Sequence, residues 1–301
     1  RAEQALVSFA SASGDTTDRL GVAKALELRG RLQRQTLPLG PRAIDVLRAL
    51  AGVPSAQALL PVPPGQPKPL NPDPLRDARV RRLALETLVL AATPGPSGRV
   101  GAGNADATAH VDAAGVVSVA DGIVDHELVE RAATDPDAQV RRLAMRAARV
   151  RDDAFRLRLG LGDEAAMVRF EALNNLTPLD SEFVCLSAVA AVGDDDARVA
   201  LLALDRLSTC GAFPDAVGAL ERQINDLSQA GAPRGWHRAA HAIVALAGAA
   251  PEQAQAALGQ FVHSSNWHLR VYAARAAAVL KESEALRQLA RDPHDNVAEA
   301  G

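Results

Sequence analysis

Asp135-Pro136-Asp137-Ala138-Gln139-Val140-Arg141-Arg142-Leu143-Ala144 is the stretch on which the reading of this chain turns. Asp137 stands three residues before an apolar anchor, Val140, where a side-chain oxygen can cap the free N–H groups of a starting helix. Val140, Ala144 and Ala148 then follow at intervals of four. Such residues share one stripe of a helix, and a small residue in its middle lets a neighbouring helix approach closely. The register recurs with Val80, Val140, Val168, Val199, Trp236 and Leu269 as anchors. The fourth residue after each is Ala84, Ala144, Ala172, Ala203, Ala240 and Ala273, and the eighth is Leu88, Ala148, Leu176, Leu207, Val244 and Ala277. Asp77, Asp137, Asp196 and Asn266 take the capping position three before four of these six anchors. Repetition of one supersecondary unit is the mark of a stacked array.

Working outward, the anchors are separated by 60, 28, 31, 37 and 33 residues, and Val297 follows 28 after the last. Apart from the first, these intervals lie near the period of about 30 to 45 residues of helical-hairpin repeats. The segments between anchors supply first helices over 125–133, 152–161, 181–191, 214–228, 251–262 and 281–290. The double interval holds a Gly/Pro-rich insertion near 93–120, and 61–76 reads as a Pro-rich connector. Before it, 17–32 and 42–51 are helical by period, Gly40-Pro41 starting the second, so 1–60 are taken as divergent repeats. The array proper covers 77–301, and 292–297 begins a seventh second helix cut short at Gly301. The expected fold is all-α, a right-handed α-solenoid of stacked antiparallel helix pairs.

Composition agrees, with 48% hydrophobic residues, enough for a large core, and only 3% aromatic ones, too few for a typical β-sandwich. A net charge of -3 provides no overall basic field for nucleic acid or anionic membrane. No run reaches the 18 or so apolar residues that span a bilayer. Cys185 and Cys210 lack a CxxC partner, so neither metal nor cofactor is expected; semi-buried free thiols are the first expectation and a single disulfide the alternative. The compartment stays open. The chain opens at Arg1 in an already helical stretch without an initiating Met or targeting signal, which reads as a piece of a longer protein.

The phrases 135–144 and Asp77-Ala78-Arg79-Val80-Arg81-Arg82-Leu83-Ala84 resemble the second-helix signature of bacterial HEAT repeats, departing from it at Ala200 and His237, where Arg is expected after the anchor. This resemblance implies an armadillo-like scaffold whose second helices line a partner-binding groove. The stretch 267–277 with 292–299 also resembles HEAT regions of multidomain cyclophilin-type prolyl isomerases. That implies the alternative of an accessory, substrate-positioning domain of a larger enzyme, of isomerase or lyase type, with its catalytic module outside this chain.

Arg81, Arg141, Arg169 and Arg270 recur in register with Asp77, Asp137 and Asp196 and are expected to form an inter-repeat ladder, since repeat arrays draw stability from neighbour interfaces. Arg82 and Arg142, one position further round, are the candidates for a solvent-facing partner surface, joined by Trp267 and His268 at the 264–266 turn, near His263. His237 and His241, four apart, could present two imidazoles to a metal, but no HExxH glutamate lies between them. Neither a GxSxG elbow nor a phosphate loop is present. The reading is a non-catalytic scaffold for another protein or peptide, with nucleic acid disfavoured.

Overall fold

The computed structural model describes residues 2–12, 16–33, 39–52, 74–93, 122–176, 181–225 and 235–301. Among these the only regular structure is helical, and helices pack in neighbouring pairs, so the class is all-α and solenoid-like. The chain divides into two compact units, Arg1–Asn175 and Leu176–Gly301, a division that falls inside the stretch read as one array. The connector at 61–73 and the insertion at 94–120 lie outside the described residues.

The first unit holds α1 (Ala2–Ala12), α2 (Thr16–Gln33), α3 (Pro41–Leu50), α4 (Pro74–Ala92), α5 (His126–Ala133), α6 (Ala138–Val150), α7 (Ala154–Gly160) and α8 (Ala166–Asn175). The anchored helices α4, α6 and α8 stack in that order, α5 and α7 pair with them, and α2 and α3 pack on α4. Helix α6 shows why. Asp137 accepts from the N–H groups of Gln139 and Val140 at its start, and its Val140, Leu143, Ala144, Ala147 and Ala148 are buried. Asp152, in the left-handed region with φ 53°, turns the chain so that Asp153 caps α7 through the Arg156 N–H. The stripe of small residues is needed: a Cβ at Gly160 would run into the Met145 sulfur and the Ala172 methyl.

In the second unit are α9 (Ser181–Ala191), α10 (Ala197–Arg206), α11 (Pro214–Asn225), α12 (Trp236–Ala249), α13 (Pro251–Val262), α14 (Trp267–Leu280), α15 (Ser283–Leu289) and α16 (Asp295–Ala300). Here α10, α12, α14 and α16 form the anchored layer, each packed on the next, with α9, α11, α13 and α15 beside them. Buried leucines such as Leu204 and Leu220 contribute about 2 kcal/mol each by leaving water. Gly211 abuts α12, and a Cβ there would collide with the Ala249 carbonyl.

Two expectations are corrected. Cys185 on α9 and Cys210, just after a 3-10 turn at Leu207–Thr209, are joined in a disulfide, and neither thiol is free. Their separation of 25 residues gave no local signal; packing of α9 against the chain after α10 brings their Cα atoms to 5.8 Å. Asp77 does not stand just before its helix, because α4 starts at Pro74 and places Asp77 within the first turn.

Candidate protein-interaction surface

The turns that begin the anchored helices carry a repeated clamp. Arg141 donates through Nη1 to the carbonyls of Asp135 and Pro136 in its own turn, at 3.0 and 3.2 Å. Through Nε and Nη2 it donates to both carboxylate oxygens of Asp163 in the following turn, at 2.8 and 3.0 Å. Arg270 repeats the arrangement with the Ser264 and Ser265 carbonyls and with Asp292, at 2.7 and 3.0 Å to the carboxylate. Arg81 holds Asp135 at 2.6 and 3.1 Å, and Arg169 Nη1 donates to the Asp163 and Glu164 carbonyls. Such forked, charge-assisted pairs are the strong form of the interaction.

The acids that receive Arg81, Arg141 and Arg270, namely Asp135, Asp163 and Asp292, stand five residues before the next anchor, not three, a position that Asp194 shares in the sequence. Each also accepts the backbone N–H two residues on: Asp135 from Asp137, Asp163 from Ala165, Asp194 from Asp196 and Asp292 from His294. The sequence carries this signal, because where the arginine is missing, at Ala200 and His237, the following position is Gly231 and Ser264 rather than Asp. Asp137 and Asp196 have other duties. Asp196 caps α10 and pairs with Arg198 of the same helix, whose hydrogen bond lowers its carboxyl pKa to about 2.

The two arginines expected to face a partner are partly committed. Arg82 forks onto Asp137, Nε at 2.8 Å, and that hydrogen bond holds the Asp137 carboxyl below its ordinary range. Arg142 occupies the same position one repeat later, but the residue that would receive it is Ala165. Its Nε is buried and has no hydrogen-bond partner among the described residues.

Trp267 and His268 enter a larger group. Both tryptophans, the single tyrosine and five of the seven histidines of the chain fall within residues 236–294. Five rings stack in a column in the order His237, Trp236, His268, Trp267, His294, with centroids 3.8, 4.3, 3.6 and 4.1 Å apart. Helix starts position them: Trp236 opens α12, Asn266 caps α14 through the His268 N–H and also meets the His268 ring, and His294 precedes α16. The three inner rings each have two stacked neighbours, so the half-exposed column offers ring edges more than ring faces. Aromatic edges are the positive part of the ring quadrupole. Neither indole Nε1 has a hydrogen-bond partner among the described residues, and neither is buried. His263 is exposed and lies instead near Gln288, at 3.4 Å.

His237 and His241 do not converge on a metal. His237 stacks on Trp236, whereas His241 lies between Asp205 and Tyr272, and no group of three or more potential ligands occurs among the described residues. No described helix is long and apolar enough to cross a membrane.

No family model matches this chain, and no curated protein matches it. Among solved structures it is similar to two engineered proteins from a structural genomics consortium. The first is 16% identical with a TM-score of 0.48, over 98% of this chain and 75% of the other. The second is also 16% identical, with a TM-score of 0.35, over 94% of this chain and 97% of the other. Likeness at this level carries no argument about function.

Proposed function

We propose that this chain is a non-catalytic interaction scaffold that holds another protein or peptide along the starts of the anchored helices of its second unit, with the five-ring column there as the principal contact. The observation that carries the reading is the column itself: a row of half-exposed aromatic edges with two indole N–H groups that have no partner among the described residues, suited to an acceptor-rich segment such as an extended backbone. Nucleic acid fits less well, because single-stranded binding uses open aromatic faces as stacking platforms, and here the inner faces cover one another. The Cys185–Cys210 bridge suits a compartment that keeps disulfides closed.

The test is partner capture with a photo-crosslinker placed at His268, followed by affinity measurement on the captured partner. Replacing Trp236 and Trp267 with Ala is expected to weaken binding by about 30-fold, the size of an aromatic hot spot. Binding unaffected by the tryptophans but abolished by charge reversal at Arg82 and Arg142 would move the surface to the first unit.

A further inference from the structure

Three successive anchored helices contribute one residue each to a hydrogen-bonded line: Asp205 from α10, His241 from α12 and Tyr272 from α14. His241 Nδ1 lies 2.7 Å from Asp205 Oδ1, and its Nε2 lies 3.2 Å from the Tyr272 hydroxyl. A carboxylate only accepts, so Nδ1 carries the hydrogen and donates to Asp205. In the neutral ring Nε2 is then the lone pair, and it accepts from the Tyr272 O–H. The hydroxyl has no other hydrogen-bond partner among the described residues. Carboxylate, imidazole and hydroxyl thus stand in the order by which a base activates an oxygen nucleophile. The exposed Arg275 adds a positive charge, its guanidinium carbon 4.6 Å from the centre of the Tyr272 ring. The line is not sealed: the side chain of His241 is 21% exposed and that of Asp205 55%.

We infer that Tyr272 is a primed nucleophile, a modification site that accepts an acyl group from an activated ester or thioester, with His241 as its general base. The phenolic oxygen forms a bond to the acyl carbon while its proton passes to His241 Nε2. The bond from the acyl carbon to the leaving oxygen or sulfur breaks, and the leaving group departs with its electron pair and takes up a proton, from the imidazolium or from water. The product is an O-acyl ester of Tyr272; nothing is oxidised or reduced. Asp205 is a positioning residue, which fixes the imidazole tautomer and steadies its cation. Arg275 stands beside the ring on which negative charge develops.

The experiment uses the full chain and p-nitrophenyl acetate. Because Tyr272 is the single tyrosine, peptide mapping separates its acetyl ester from adducts on other groups. The folded chain is expected to acetylate Tyr272 on the order of 100-fold faster than a free tyrosine amide, the low end of general-base assistance. His241→Gln and Asp205→Asn are expected to slow that step on the order of tenfold or more with helicity unchanged, and Asp205→Glu to restore part of it. Acetylation of Tyr272 no faster than the free amide, or a rate indifferent to His241→Gln, would overturn the inference. Should His241→Gln fail to fold, Asp205→Asn decides, since an unchanged rate there also refutes the relay.

Discussion

Arg141 holds its own turn with one nitrogen and the next repeat with the other two, and it is only 9% exposed. Truncating it takes from the Asp163 carboxylate its forked arginine partner, leaving the Ala165 N–H, and removes the donor to two backbone carbonyls. Arg141→Ala is therefore expected to lower unfolding stability by about 3 kcal/mol in urea titrations, as for other part-buried charges left unpaired. Arg198 makes a forked pair of similar length with Asp196, but on the open surface of its own helix, so Arg198→Ala should leave the urea midpoint unchanged. Acid should act on the same contacts. The hydrogen bonds from Arg82 and Arg270 chiefly hold the Asp137 and Asp292 carboxyls below their ordinary range. At Asp163 burial pushes upward but is outweighed by the Arg141 hydrogen bond, the Ala165 N–H and the charges of Arg141 and Arg169. A depressed folded-state pKa stabilises fully above the unfolded value and is lost as pH falls through the folded one. Stability should thus be level near neutrality and decline below about pH 4, with a shallower decline in Asp163→Asn, as pH-dependent denaturation would record.

Elements were the most legible part of this chain. The segments expected as first helices at 181–191 and 251–262 are α9 (Ser181–Ala191) and α13 (Pro251–Val262), because a proline or polar start and a four-residue apolar interval act locally. Less legible was where each element is tied to another. The bridge from α9 to Cys210 is such a tie, and both sulfurs are buried. Closing a loop with a separation of 25 residues removes unfolded-state entropy worth about 3.5 kcal/mol in the chain-entropy relation. Replacing both cysteines with Ser should cost the second unit about that much, read from chemical denaturation without reductant. An unchanged midpoint would mean that the packing of α9 suffices without the bond.

For the molecule, the two compact units should respond separately, since stability in a repeat array is a sum of neighbour terms. In hydrogen exchange, Arg141→Ala is expected to speed exchange of α6 and α8 and leave α12 and α14 alone, while loss of the disulfide does the reverse. Acceleration throughout after either change would mean one cooperative block. Helicity, repeat register and the small-residue stripe were determined by the sequence alone, because capping and the interval of four depend on neighbours within a turn or two. The ring column is only hinted at in the sequence, through Trp267 and His268; Trp236 reads there as a repeat anchor, and His237 stands four before His241 without the glutamate of a metal motif. The partner of each arginine, the order of the five rings, the disulfide and the line from Asp205 to Tyr272 were decided only by the tertiary structure. Apart from the two adjacent ring pairs, these contacts join residues far apart in the chain, 22 for Arg141 with Asp163 and 55 for Arg82 with Asp137, and only the stacking of whole turns makes them neighbours.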